Sequence, residues 1–545
     1  MPTESQVVRP DRRPSLTPLA LNLIVSTYLL ALCNSTFWGH LLRIFEGRMF
    51  LGVVFAAATW ALMVLVVSLF AVRQAQKPVL VALLIIAGVS SYYVDKLGAV
   101  VDRDMIQNAM TTTFAESRHL ITANFLTHVA LWGVLPSLLV LWVRLRRGSV
   151  LRGFGIWAAT TAGSAALVVG LLFIGFQTYA SVLRENKELL ASVQPLAPIA
   201  GAARYARMML RSTNVVVQPT GPDAAPGPFL ASADKPILMV IVAGETGRAA
   251  SWSLDGYGRE TNPELGKRDV LYYANATSCG TATATSLPCM FSPLTKDEYS
   301  FQGGLETENL LDVLKRAGFN VEWWDNNTGH KDIAARVESR SMRAEDGPEF
   351  CDPECTDAVF QKHLDTVAAT MTQNTVIVLH QIGSHGPSYW VRYPADREVF
   401  SPACKTAQLA DCSSEEIVNA YDNTIAFTDQ MLAVAIDRLD AEGRVIPALF
   451  YVSDHGESLG ENGVYLHGAP YFMAPPEQTE VPMVIWMSAR FGDALGVDQS
   501  CMAKASEAAV SHDNMFSTVL GMLDVTTTAR DPQLDLAGAC RKVAS

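Results

Sequence analysis

A multi-pass α-helical membrane segment followed by an α/β domain with a mainly parallel central sheet is the fold class the sequence predicts, on three observations. Of 545 residues, the first 176 carry five apolar stretches long enough to cross a bilayer, at 18–38, 49–72, 78–94, 125–143 and 154–176. The remainder holds three apolar runs that stop abruptly at carboxylates or imidazoles, as buried parallel strands do when they deliver side chains to the carboxyl edge of a sheet. Eight of the nine cysteines lie in this second half.

The composition agrees with two unlike halves. At 49% hydrophobic residues and a mean hydropathy of +0.18, the chain is too apolar for a soluble enzyme. With 18% charged residues it is too polar for a pure transporter. Arg9, Arg12 and Arg13 precede the first apolar stretch, Arg73 and Lys77 lie in the second loop, and Arg144, Arg146, Arg147 and Arg152 in the fourth. The alternate loops carry fewer cations for their length, so the N-terminus is expected inside and everything after the fifth span outside the cytoplasm. The first stretch is long and lacks a small-residue cleavage site, and is read as a retained helix.

Cysteine usage is an independent indicator of compartment. Cys279 and Cys289, Cys351 and Cys355, and Cys404 and Cys412 are close pairs, with Cys501 and Cys540 beyond them. Such a set suits an oxidising compartment and a disulfide framework; a zinc knuckle is the competing reading, disfavoured by the scatter and the lack of a repeated C-x-x-C. Between spans three and four, Asn108, Thr112 and Glu116 are spaced by four, which on a helix would share one face. Residues 179–210 mix apolar side chains with Arg184, Lys187, Arg204, Arg207 and Arg211, as an interfacial helix would. The Pro- and Gly-rich stretch 218–228 reads as a linker. The expected division is 1–176 transmembrane, 177–234 interfacial helices and linker, and 235–545 one large α/β domain.

In the second half, the run 237–243 leads to Gly244-Glu245-Thr246, the run 376–379 to His380 and then Ser384-His385-Gly386, and the run 448–452 to Ser453-Asp454-His455-Gly456. Glu245, Asp454, His455, His385 and His467 could therefore converge, and mixed oxygen and imidazole donors make a metal site. Taken singly, each strand end could equally be a capping residue and a turn. The hydroxyl-rich run 278–289 is bracketed by Cys279 and Cys289, and a helix starting near Thr283 would aim its first N–H groups at an anion. A threonine hydroxyl there needs a divalent cation to become a nucleophile toward phosphorus. Residues 305–317 and 415–440 read as helices. A strand at 320–324 runs into Asp325-Asn326-Asn327-Thr328-Gly329-His330-Lys331, whose amides and cation suit a phosphate or a headgroup, although a plain turn has the same letters.

Together, Gly244-Glu245-Thr246, Ser278-Cys279-Gly280-Thr281-Ala282-Thr283, Asp325-Asn326-Asn327, Gly383-Ser384-His385-Gly386-Pro387 and Ser453-Asp454-His455-Gly456-Glu457-Ser458-Leu459-Gly460-Glu461-Asn462-Gly463 resemble the membrane phosphoethanolamine transferases that modify lipid A in Gram-negative bacteria, polymyxin-resistance enzymes among them. The resemblance spans nearly the whole chain. It implies five membrane helices and a periplasmic domain of the alkaline phosphatase and sulfatase type in the bacterial inner membrane. It further implies a zinc ion held by Glu245, Thr283, Asp454 and His455, with the number of ions, one or two, left open, and Thr283 as the residue that becomes phosphoethanolaminated. His385 and His467 match the family's nearby histidines, as general acid or base or as ligands of a second zinc. Asn327 and Lys331 match its headgroup pair, and Asn108, Thr112 and Glu116 its lipid-facing loop. The expected donor is phosphatidylethanolamine and the expected acceptor a phosphate of lipid A or lipopolysaccharide, with membrane lipids around a monomer and no nucleic acid. Disulfides are expected for Cys279–Cys289, Cys404–Cys412, Cys351–Cys355 and Cys501–Cys540. Alternatives are transfer to another envelope glycan, a phosphoglycerol transferase, or a non-catalytic membrane sensor on the same fold. A sulfatase would need a C-x-P-x-R-like frame, which Cys279-Gly280-Thr281-Ala282-Thr283 lacks.

Overall fold

A computed structural model describes residues 13–70, 74–112, 118–146, 148–212 and 215–542. The chain forms two compact units, one of residues 1–103 and 123–203 and the other of residues 104–122 and 204–545.

The first unit includes the helices α1 (Pro18–Leu32), α2 (Ser35–Ile44), α3 (Met49–Phe70), α4 (Gln76–Leu97), α6 (Ala123–Trp142), α7 (Val150–Ile174) and α8 (Phe176–Glu185). Four of these are single helices long and apolar enough to span a bilayer; α1 and α2 make a fifth only as a pair bent by 68°. The sequence reads 18–38 as one helix, and the break has a local cause. The buried Asn34 side chain donates to the Leu29 carbonyl and to the Gln194 carbonyl, and accepts from the Gln194 N–H. Asn34 shares the Leu29 carbonyl with the Cys33 N–H, the last bond of the α1 ladder, and commits its remaining bonds to the Gln194 backbone, so the helix ends there. Close packing between α4 and α6 depends on Gly88, where an added Cβ would lie 2.9 Å from Gly133 Cα. Large apolar side chains on α7, such as Phe154 and Phe173, are exposed, as lipid-facing positions are.

In the second unit seven strands form one sheet: β1 (Ile237–Gly244), β2 (Val270–Tyr273), β3 (Asn320–Asp325), β4 (Glu338–Ser341), β5 (Thr375–His380), β6 (Ile446–Ser453) and β7 (Met483–Met487). Their spatial order is β2-β7-β6-β1-β5-β3-β4. From β6 to β4 the pairings are parallel, and only β7 and β2 run against their neighbours. β1 is buried throughout, with Ile237, Met239, Ile241 and Ala243 facing one core and Leu238, Val240 and Val242 the other. Two-sided burial is why these strands read as continuous apolar runs. The long helix α10 (Ser414–Ala441) starts with a capping box between Ser413 and Glu416 and covers one face with Ile417, Tyr421, Ile425 and Leu432.

The helix read at 305–317 is instead two, Phe301–Glu306 and Leu310–Arg316. Gln218 from the linker stretch inserts between them: its N–H donates to Glu306 and its carbonyl accepts from Glu308. Asn309 then caps the second helix.

Candidate active site and metal centre

Register decides the site. Ser453 pairs with Gly244, Ala243 with His380, and His380 with Asp325, so four parallel strands end level. The next residues leave the sheet together at its carboxyl edge: Glu245 after β1, Asp454 and His455 after β6, and the loop to His385 after β5. Thr283 is the first residue of α9 (Thr283–Met290), a helix pinned by the Cys279–Cys289 disulfide.

The Thr283 hydroxyl lies 3.2 and 3.1 Å from the two Glu245 carboxylate oxygens and 3.3 Å from His455 Nε2. His455 Nε2 is 3.4 Å from Glu245 Oε1 and 3.5 Å from Asp454 Oδ2. All four residues are buried. The His455 Nδ1–H donates to the Gly456 carbonyl at 2.9 Å, which leaves the Nε2 lone pair facing the two carboxylates. Asp454 Oδ1 accepts from the N–H groups of Thr246 and His455, whereas Oδ2 is buried with no donor among the described residues. Burial and the Glu245 charge raise the Asp454 pKa. Burial also acts to raise Glu245, but the positive charge that the His455, His385 and His467 rings carry when protonated more than offsets it and holds that carboxyl below its usual range. Two carboxylates and an imidazole lone pair aimed at one point are all acceptors, and a cation is what satisfies them together. The donor set fits zinc: mixed oxygen and nitrogen, few ligands, and a hydroxyl among them.

Around this cluster the histidine rings gather, His467 with its centroid 4.4 Å from that of His455 and 5.7 Å from that of His385. His467 Nδ1 is 2.8 Å from Glu457 Oε2, and Tyr389 donates to the other oxygen of that carboxylate. Burial would lower His467, but the Glu457 carboxylate more than compensates and raises it. The Asn327 side-chain amide donates to Glu245 Oε2 at 2.7 Å and to the Gln381 carbonyl at 2.8 Å. Lys331 Nζ bonds the carbonyls of Thr328 and Thr111 and lines a cavity of 420 Å³ with His330, Asp332, Ser339, Arg340 and Ser341.

The helix α5 (Arg103–Thr111) precedes Thr112, whose hydroxyl donates to the Asn108 carbonyl. It is Gln107, one residue before Asn108, that reaches the α9 segment, with its amide 3.4 Å from the Ala284 carbonyl. Glu116 lies outside the described residues. All four expected disulfides are present, Cys351–Cys355, Cys404–Cys412 and Cys501–Cys540 beside Cys279–Cys289.

Several groups escaped the sequence reading. Buried His380 holds Asp325 at 2.9 Å through Nδ1; burial lowers its pKa, but the Asp325 charge wins and raises it. Asp325 in turn accepts from the N–H groups of Asn327 and Gly329, shaping the loop that presents Asn327 to Glu245. A histidine closing an all-apolar strand was the available signal.

His512 ties the nucleophile segment to β6: its Nδ1 accepts from the Cys279 N–H at 3.1 Å and its Nε2 bonds the Ser453 carbonyl at 2.9 Å. Burial pushes its pKa down to about 4, from 6.5, because the charged imidazolium would lose its hydration in the interior. The folded-state pKa is depressed, so this histidine supports the fold fully above pH 6.5 and progressively less as the pH falls toward 4, a change on the order of 3 kcal/mol. Thermal melts should show a shallower loss of Tm across that window in His512→Gln than in the parent.

Gly383 has φ +50°, and an added Cβ would lie 2.5 Å from the Glu245 carbonyl. Gly383→Ala should cost about 2–4 kcal/mol of stability by displacing that backbone. It should also weaken metal binding, read by calorimetric titration with zinc.

Known proteins resemble this chain along nearly its whole length. A family model described as Sulfatase matches residues 238–525, and one described as Phosphoethanolamine transferase EptA/EptB matches residues 59–210. The chain is 36% identical over 543 residues to phosphoethanolamine transferase EptA of Escherichia coli (strain K12), covering 98% of both. It is 36% identical to phosphatidylethanolamine transferase Mcr-1 of Escherichia coli, covering 94% of this chain and 96% of that one. The integral membrane lipooligosaccharide phosphoethanolamine transferase A of Neisseria meningitidis superposes with a TM-score of 0.93 at 32% identity, over 97% of this chain and 100% of that one. With relatives this similar over almost its full length, the chain belongs to the phosphoethanolamine transferase family.

Proposed function

We propose that this enzyme transfers phosphoethanolamine from phosphatidylethanolamine to a phosphate group of lipid A, through a covalent adduct on Thr283. The observation that carries the reading is the position of the Thr283 hydroxyl, within 3.3 Å of both Glu245 and His455 at the start of α9.

In the first step the Thr283 oxygen attacks the donor phosphorus and gives up its proton. The Thr283–phosphorus bond forms, the bond to the glycerol oxygen breaks, and diacylglycerol leaves with a proton. In the second step an oxygen of the acceptor phosphate attacks the same phosphorus and Thr283 regains its proton. A zinc ion held by Glu245, Thr283, Asp454 and His455 would lower the hydroxyl pKa and offset charge on the phosphoryl oxygens. Glu245 is kept in position by the Asn327 amide and the Thr246 hydroxyl. The α9 N-terminus directs N–H groups toward negative charge. His467, held by Glu457, or His385 would move the protons of the leaving and entering oxygens. Lys331 would engage the donor headgroup phosphate, with Asn108, Thr112 and Glu116 on the segment that meets lipid.

The catalytic unit acts in the periplasm: its four disulfides suit an oxidising compartment. The protein works as a monomer anchored in the inner membrane, where both lipid substrates are met by diffusion in one plane. Each ethanolamine added to lipid A brings an ammonium group, so the surface attracts cationic peptides such as polymyxin less strongly. Intact mass spectrometry after incubation with phosphatidylethanolamine tests the reading. One phosphoethanolamine added at Thr283 is expected, and an unmodified protein that still turns over donor would refute it.

A further inference from the structure

Glu354 stands inside the small loop closed by the Cys351–Cys355 disulfide, away from the proposed zinc ligands, yet it gathers three cationic or imidazole side chains. Its Oε1 accepts from Arg118 Nη2 at 2.6 Å and from His119 Nε2 at 2.8 Å. Its Oε2 accepts from Arg392 Nη1 at 2.8 Å. Arg118 and His119 lie near the end of the 104–122 segment, which belongs to the connection between α4 and α6 and packs with the catalytic unit.

The network continues into the site. Arg392 is only 4% exposed, and its Nε donates to the backbone carbonyl of His385 at 2.8 Å. The other ring nitrogen of His119, Nδ1, is 2.8 Å from the hydroxyl of fully buried Ser388, three residues after His385. The same small loop also supports the preceding turn: the Asn326 amide bonds Cys355 O and Asp357 Oδ1, and the Asp357 carboxylate accepts from the N–H groups of Ile382 and Gly383. Segment 382–388 is thus held on one side by Asp357 and on the other by His119 and Arg392, with Glu354 joining the last two.

We propose that Glu354 is a positioning residue for the transfer reaction: by clamping Arg118 and His119 to Arg392, it fixes the backbone that carries His385. The site then reaches its working geometry only with the 104–122 segment docked, which ties the His385 wall to the stretch connecting two membrane helices. A carboxylate serving one guanidinium could be replaced by many surface pairs. One carboxylate that takes two guanidiniums and an imidazole from two other chain segments, and so joins three, is a geometric device. The inference rests on His385 acting at the site, as proposed above.

A double-mutant cycle tests it on the full-length protein in detergent micelles. The readout is the rate at which the phosphoethanolamine adduct forms from phosphatidylethanolamine in a single turnover, followed by intact mass. Glu354→Gln keeps the shape and removes the charge; it should slow adduct formation about tenfold, the scale of a small misplacement of a reacting group. In a His385→Ala background the same change should cost less than about twofold, because both act through one group. A general destabilisation of the fold would instead multiply through both backgrounds. An unchanged rate in Glu354→Gln, or a full tenfold loss that persists in His385→Ala, overturns the proposal. If His385→Ala alone reacts at the parent rate, the role given to His385 falls first and the clamp with it. If His385→Ala is slow and Glu354→Gln is not, only the clamp falls. Should Glu354→Gln fail to fold, Arg118→Gln and His119→Gln are read in the same cycle with the same criteria, since the Arg118 side chain is 52% exposed.

Discussion

Replacing Thr283 by alanine is expected to abolish transfer and leave the fold standing. The side chain is buried, but its hydroxyl lies among acceptors, so its removal leaves no buried donor stranded and opens only a small space. The methyl of alanine preserves the helix start, where the N-cap residue is Ala282 and makes no side-chain cap bond. Stability should therefore change by less than about 1 kcal/mol. Activity should fall by at least about 10⁴-fold, the scale seen when a nucleophile that acts as part of a unit is deleted. The measurements are acceptor modification, adduct mass and thermal melting on one preparation. Thr283→Ala protein that forms an adduct elsewhere and still modifies lipid A would move the nucleophile to another residue, whereas loss of folding would leave Thr283→Ser as the variant to read.

Asp454→Asn is expected to separate stability from activity in opposite directions. Without a cation, Asp454 and Glu245 are like charges buried side by side, and the Asp454 pKa is raised by burial and by that neighbour. An amide there removes the repulsion, so the metal-free variant should melt above the metal-free parent. With zinc present the order should reverse. A ligand at 100 times its dissociation constant stabilises by about 2.7 kcal/mol, worth roughly 5 °C in a domain of this size; the variant gives up most of that gain and its activity. Melting curves of parent and variant, each with chelator and with added zinc, make the four-way comparison. A variant that gains as much Tm from zinc as the parent would show that Asp454 is no ligand.

The strand-end arrangement was legible in the chain. Apolar runs that end at Glu245, Asp454 or His380 announce buried parallel strands, because two-sided burial leaves no alternation and the first polar residue marks the edge. The helix start at Thr283, the bilayer-length stretches and the close cysteine pairs are equally local signals. The bend after α1 was not legible, since Asn34 breaks the helix by bonding Gln194, a partner 160 residues away.

The sequence by itself determined which residues leave the sheet at its carboxyl edge and that a hydroxyl, carboxylates and imidazoles were available there, because burial imposes a pattern on neighbouring residues. Only the tertiary structure decided that Ser453, Gly244, His380 and Asp325 end level, that Asn327 turns toward Glu245, that His512 bonds Ser453 and that Glu354 clamps Arg118 to Arg392. Those contacts join residues tens to hundreds of positions apart. Their partners are chosen by strand order and register, and periodicity along the chain carries no trace of that choice.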